Sequence, residues 1–106
     1  MKLFALCLIL LPSLASAYTH SAANSSKSEV KFTIKYVICK SDNFTLKPGE
    51  SKSIRGGGCC IKAVTAVDAK AKDAKPTTLS FKELCGTTQW TAKDGAPLVL
   101  TGGKTI

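Results

Sequence analysis

Two adjacent cysteines in the middle of the chain constrain its fold more than any other feature. Cys59 and Cys60 follow three glycines, and Cys39 and Cys85 lie on either side of them. Adjacent residues of a strand point to opposite faces, so the pair is poorly placed to bond itself. Two pairings then remain open, in which Cys39 bonds either member of the pair and Cys85 bonds the other. Each bridge would stabilise the fold by about 3 kcal/mol in the chain-entropy model.

The N-terminus has the pattern of a secretory signal peptide. Lys2 precedes an unbroken apolar run, residues 3–11, and small residues typical of a cleavage site end at Ala17. The run is shorter than the ~20 apolar residues that a membrane-spanning helix needs. We therefore expect residues 1–17 to be removed and the mature protein, without a membrane span, to be secreted: extracellular, or periplasmic in a bacterium.

The cysteine count favours disulfides over a metal site. Removal of the leader takes Cys7 with it and leaves four cysteines, an even number in an exported chain. Oxidising compartments favour paired disulfides. The four cysteines also lack the short Cys-x-x-Cys spacing of structural zinc sites. We expect no metal and no cofactor.

Alternation of apolar and polar residues predicts an all-β domain. Residues 30–39 alternate throughout, with Lys31 and Lys35 on the outward face and Tyr36 on the inward one. Residues 59–67 are mostly apolar and predict a buried central strand. Shorter strands are predicted at residues 44–46, 51–55, 77–85 and 97–101, with 44–55 forming a hairpin. The expected fold is a small antiparallel β-sandwich, Ig-like, or a partly open barrel of about six short strands, stapled by disulfides.

A short turn segment agrees with this fold class. Leu-Lys-Pro-Gly-Glu-Ser, residues 46–51, resembles turns in many exported Ig-like β-sandwich domains. The resemblance covers six residues. It implies a fold and carries no activity, partner or site residue with it.

The segment after the leader predicts a flexible arm. Residues 18–28 are rich in Ser, Ala and Asn and have no apolar period, so we assign residues 29–106 to a single β domain. Asn24 and Asn43 each begin a glycosylation sequon, and their use is left open. His20, the sole histidine, falls on this arm, where it would not be held against a substrate. With no facing carboxylate pair in the pattern either, we expect no catalytic residue and no enzyme activity.

The positive net charge predicts what kind of partner the protein binds. The net charge of +8 becomes +7 when Lys2 leaves, and Arg55 is the only arginine. Lysine suits diffuse attraction to anions better than bidentate recognition. We expect an anionic polymer or cell-surface component to bind a lysine-rich patch, with Trp90 as a further contact for a protein partner. The patch residues are Lys31 and Lys35 on the strand and Lys70, Lys72 and Lys75 in an exposed loop at residues 68–75. The alternative is a secreted effector, toxin or protease inhibitor that acts on a host or competitor protein.

Overall fold

The structure, a computed structural model, describes residues 18–105 and contains eight strands and no helix in that range. The predicted signal peptide, residues 1–17, lies outside the described residues. The expected all-β sandwich with two disulfides is confirmed, with eight strands in place of about six. The strands are β1 (Tyr18–Asn24), β2 (Val30–Tyr36), β3 (Asp42–Leu46), β4 (Ser51–Gly57), β5 (Ile61–Asp68), β6 (Thr77–Leu84), β7 (Thr88–Lys93) and β8 (Val99–Lys104).

The strands form two four-stranded sheets. The first sheet has the order β4-β1-β7-β8 and the second has the order β3-β2-β5-β6. All neighbouring strands are antiparallel except β1 and β7, which are parallel. Hairpins join β2 to β3, β5 to β6 and β7 to β8, and the other four connections cross between the sheets.

The core lies between the inner faces of the two sheets. Strand β2 alternates as predicted, with Val30, Phe32, Ile34 and Tyr36 buried. It ends at Tyr36, three residues earlier than expected, where the chain bends toward Cys39. The buried apolar residues of the other strands and of the connection before β8 are Ala22, Leu46, Ile61, Val64, Ala66, Trp90, Ala92, Leu98 and Leu100.

Residues 18–28 are not the expected flexible arm, because they include β1 in the interior of the first sheet. His20, Ala22 and Asn24 alternate as its inward residues, and each is at most 1 % exposed. Two of these three are polar, so the strand shows no apolar period. Asn24 is held by hydrogen bonds from its Nδ2 to the carbonyls of Ser28 (2.7 Å) and Leu46 (2.9 Å). The segment is held by backbone pairing with β4 and β7 and by these polar contacts, rather than by burial of an apolar face.

The predicted hairpin over residues 44–55 is wrong, since β3 and β4 belong to different sheets. The turn between them has the expected local geometry. Gly49 has a φ of +84°, and the Glu50 N–H donates to the Lys47 carbonyl at 2.9 Å. The turn residues thus determine the change of chain direction but not the strand pairing, since β3 pairs with β2 and β4 pairs with β1.

The two ends of the sandwich differ in how their connections are held. One end, the loop end, comprises the connections at residues 25–29, 47–50, 69–76 and 94–98. The other, the disulfide end, comprises those at residues 37–41, 58–60 and 85–87 and carries both disulfides. Cys39 bonds Cys59 and Cys60 bonds Cys85, which settles the open pairing and indicates an oxidising, extracellular-type environment. Cys59 and Cys60 lie immediately before β5 rather than inside it.

Candidate functional site

The outer face of the second sheet is covered by short polar side chains. Thr33 on β2 is level with Asn43 on β3 and with Thr65 on β5. Thr65 is in turn level with Thr78 on β6, so one polar row crosses all four strands. The Thr33 hydroxyl donates to Asn43 Oδ1 at 2.8 Å, and the hydroxyls of Thr65 and Thr78 are 3.0 Å apart.

Lysines flank this row, and we call the surface the lysine face. Lys31 and Lys35 are exposed on β2, as the alternation predicted. Lys82 follows the inward-facing Phe81 on β6, and Lys62 is exposed at the irregularity between Ile61 and Ala63 on β5. The lysine face is therefore defined by Lys31, Lys35, Lys62 and Lys82. The last two were missed in the sequence, although alternation around Phe81 would have placed Lys82 outward.

The four strands of the second sheet contain three acidic residues, all at or next to strand ends. The three are Asp42, Asp68 and Glu83, and Glu83 is exposed between Lys82 and Leu84, which pairs with the inward Ile61. Asp42 is level with the inward Ile34 and accepts a hydrogen bond from the Tyr36 hydroxyl at 2.6 Å. Asp68 is level with the inward Val30. The face thus combines positive charge with neutral hydrogen-bonding groups.

The structure divides the predicted lysine patch between the two ends of the sandwich. Lys70, Lys72 and Lys75 are exposed in the loop at residues 69–76, so their predicted loop placement is confirmed. That loop is at the loop end, beside Lys31. Lys35 lies four residues farther along β2, roughly 13 Å away at the rise of a strand. Lys35 therefore belongs with Lys62 and Lys82.

Acidic residues interleave with the loop lysines. Lys70 Nζ lies 3.5 Å from Glu29 Oε1. Asp68 Oδ1 accepts hydrogen bonds from the backbone N–H groups of Lys70 and Ala71, and the one from Lys70 is the main reason that the pKa of Asp68 is lowered. These contacts order the start of the loop and weaken its positive field relative to the lysine face.

Trp90 is not available to a partner, contrary to the prediction. It is 1 % exposed, and its ring lies 5.7 Å from the ring of Phe81, across the core. Its Nε1–H donates to Thr88 Oγ1 at 2.7 Å. The indole nitrogen is satisfied internally, which removes the reason for this residue to face water.

His20 is the centre of a buried polar cluster and is not on a mobile arm. Its Nδ1 lies 2.8 Å from Thr88 Oγ1. Thr88 Oγ1 accepts from Trp90 and still has a hydroxyl hydrogen that can be donated to Nδ1 of a neutral imidazole. Burial lowers the pKa of His20, with Asp42 opposing that shift. Burial, followed by the hydrogen bond to Asp42, raises the pKa of Tyr36 well above its usual range.

This cluster supports the fold and offers no catalytic group to a substrate. His20 and Thr88 are fully buried, and His20 Nε2 has no hydrogen-bond partner among residues 18–105. A general base must reach the proton that it removes. The sulfurs of Cys60 and Cys85 lie within 4.8 Å of a Glu83 oxygen. Both sulfurs are in a disulfide, so neither is a thiolate ligand.

Comparison with known proteins shows the fold alone. No protein-family model matches the chain, and no curated protein matches it. A solved structure described as "NMR structure of the protein from Eubacterium rectale" is similar, with a TM-score of 0.60 and 17% sequence identity. The match covers 85% of this chain and 91% of that chain. The stretch from residue 18 to residue 105 contains no helix long and apolar enough to span a membrane.

Proposed function

We propose that the protein is an exported, non-enzymatic binding protein that holds an anionic surface or polymer on the lysine face. The observation that supports this most directly is the charge on the outer face of the second sheet. It carries four lysines, and two of the three acidic residues of the same strands, Asp42 and Asp68, are level with inward-facing residues. A surface with mostly one sign of charge attracts a polyanion with little of the repulsion that interleaved carboxylates would cause.

The geometry suits many weak contacts rather than one specific site. Neighbouring strands are about 4.8 Å apart and successive outward residues of a strand about 6.6 Å apart. The lysines are thus spread over a nearly flat surface, and their flexible stems reach phosphate, sulfate or carboxylate groups of varied spacing. Between them, the Thr and Asn side chains provide neutral hydrogen-bonding groups for sugar or backbone oxygens. Affinity should be broad in specificity and strongly dependent on salt.

Retention on a polyanion column tests the proposal with a matched pair of variants. The face variant is Lys31→Gln, Lys35→Gln, Lys62→Gln and Lys82→Gln. The loop variant changes Lys47, Lys70, Lys72 and Lys75 to Gln, so both lose four charges. We expect the face variant to elute from immobilised heparin at much lower salt than the loop variant. Equal elution would show that net charge alone governs retention, and absence of wild-type retention at low salt would end the proposal.

Export is tested separately from binding. The signal-peptide pattern of residues 1–17 and the two disulfides support it. N-terminal sequencing of the protein recovered outside the producing cytoplasm should begin at Tyr18 or within a few residues of it. A retained Met1 in that material would contradict the secretory route. A panel of hydrolase substrates should show no turnover, and turnover that follows the purified protein would overturn its assignment as non-enzymatic.

A further inference from the structure

Two adjacent aliphatic side chains are exposed at the disulfide end. Ile38 is 91% exposed and Val37 is 43% exposed, on the connection from β2 to β3. Among residues 18–105 the third large exposed hydrophobic side chain is Val99, 46% exposed at the opposite end. Leaving such side chains in water forgoes the stabilisation that burial would bring. Their exposure side by side therefore points to a surface that is covered in use.

The connection that carries Ile38 is firmly held. Cys39, the next residue, is bonded to Cys59. The Val37 N–H donates to the Cys60 carbonyl at 2.9 Å, which ties the other side of Ile38 to the start of β5. The side chain is thus presented on an anchored tip, beside a hollow that Gly58, Glu83 and the Cys39–Cys59 bridge also line.

Positive charge surrounds this apolar tip. The exposed cations of the second sheet at this end are Lys35, Lys40, Lys62 and Lys82, and Arg55 and Lys104 lie at the same end of the first sheet. The acids nearby are Glu83, which is exposed, and Asp42, which is hydrogen-bonded to Tyr36. The ion pair found within residues 18–105 joins Lys70 and Glu29 at the loop end. No ion pair within that range therefore neutralises the cations of the disulfide end.

We propose that the disulfide end docks on an anionic phospholipid bilayer, with Ile38 entering the interface. The proposal rests on the proposed function, since it names lipid headgroups as the anionic surface that Lys35, Lys62 and Lys82 meet. An apolar tip lowers its free energy at the boundary between headgroups and acyl chains, while lysine stems lie along that boundary and their ammonium groups reach the anionic headgroups. A protein partner would cover roughly 800 Å² of each surface, far more than two aliphatic side chains provide.

Vesicle sedimentation tests the docking surface with a matched control. The probes are vesicles of phosphatidylcholine alone and of phosphatidylcholine with phosphatidylglycerol. Wild-type protein should sediment with the anionic vesicles and remain in solution with the neutral ones. Ile38→Ser should weaken partitioning about tenfold, as expected for an aliphatic side chain that no longer leaves water. Val99→Ser, a change at an exposed aliphatic residue of the loop end, should leave it unaltered, and equal loss in both variants would overturn the proposal.

Fluorescence reports insertion directly. Ile38→Trp places an indole at the tip, and Val99→Trp places one at the far end; Trp90 is buried and common to both. Anionic vesicles should shift the emission of the first variant toward shorter wavelength and leave that of the second unchanged. No shift at position 38 under conditions where the wild-type protein sediments would overturn insertion by Ile38.

The outcomes separate this inference from the proposed function. Ile38→Ser keeps every lysine, so it should be retained on heparin like the wild-type protein while its binding to anionic vesicles weakens. Heparin retention without any vesicle binding would defeat the lipid proposal and leave polymer binding intact. Vesicle binding that depends on Ile38 without heparin retention would defeat polymer binding and support the lipid surface. Vesicle binding that the face variant loses and Ile38→Ser keeps would also defeat docking through the tip.

Discussion

A methyl group added at Gly56 on β4 would lie 2.6 Å from both Nε2 and Cδ2 of His20 on β1. The two strands are neighbours, and the buried imidazole occupies the space that any larger residue at position 56 would need. Gly56→Ala should therefore destabilise the protein by about 1–3 kcal/mol, the usual cost of overpacking a filled site. Thermal unfolding of the purified variant measures this directly.

Gly58→Ala is the control for that substitution, because nothing lies within 4 Å of a Cβ at Gly58. It should change the melting temperature little. A double variant with His20→Ala provides a second check. If the imidazole is the obstacle, the loss from Gly56→Ala should be smaller in that background than alone. An identical loss in both backgrounds would place the clash elsewhere.

Stability should fall as the pH is lowered below about 6.5, the ordinary pKa of histidine. Burial lowers the pKa of His20 in the folded state, so over this range the unfolded chain binds more protons than the folded one. The contribution from neutral His20 is thus full above the unfolded pKa and is lost as the pH falls toward the folded pKa. Urea unfolding at several pH values between about 7.5 and 5 measures it, above the range where most carboxylates titrate.

His20→Asn isolates the cause of that pH dependence. The chain has one histidine, so the variant contains none. Its absolute stability is expected to be lower, and the comparison concerns the slope against pH. A flat profile in this window would assign the wild-type slope to His20, whereas an unchanged slope would assign it to another group.

The disulfide pairing is testable by removing cysteines in pairs. Cys39→Ser with Cys59→Ser removes one bridge and should leave Cys60 and Cys85 bonded, with no free thiol under denaturing conditions. Cys39→Ser with Cys60→Ser breaks both bridges and should expose two thiols in the mature protein. Each bridge spans 20 or 25 residues and contributes about 3 kcal/mol. The second variant should therefore melt well below the first, and the reverse order would favour the other pairing.

Glycosylation in a eukaryotic host should occur at one of the two sequons in the folded product. Asn24 is 1 % exposed, and its Oδ1 accepts hydrogen bonds from the backbone N–H and hydroxyl of Ser26, so a glycan there is incompatible with the fold. Asn43 is exposed on the lysine face. Thr45→Ala removes its sequon at an exposed position and should abolish the glycan on secreted protein. A glycan that persists in that variant would contradict the burial of Asn24.

The parts of the fold that the sequence predicted are those where side-chain polarity follows burial. In β2, apolar residues alternate with Lys31, Thr33 and Lys35, so both the strand and its outward face were evident. Cysteine spacing predicted two bridges and reduced their pairing to two choices. The loop predicted at residues 68–75, and found at residues 69–76, was evident because it has helix-forming residues without an apolar face.

The predictions for strand β1 and for Trp90 were wrong because burial at these positions does not follow side-chain polarity. Hydrogen bonds pair the buried His20 with Thr88, and Thr88 with Trp90, although residues 20 and 88 are 68 positions apart. No local pattern contains that information. The same limit applies to β3 and β4, whose connecting turn looked like a hairpin while their partners lay elsewhere. On the lysine face, alternation around Phe81 would have placed the overlooked Lys82 outward, whereas the exposure of Lys62 depends on an irregularity in β5 that only the paired strands reveal.

The position of β1 has a consequence for the order in which the protein assembles. This strand is the first of the eight to leave a ribosome or a translocation channel, yet its two sheet neighbours are β4 and the late strand β7. Until β7 emerges, β1 has an unpaired edge and His20 lacks Thr88. The second sheet is complete once β6 has emerged. Assembly during synthesis is therefore expected to begin with the second sheet, and one edge of β1 stays unpaired until one of the last strands emerges.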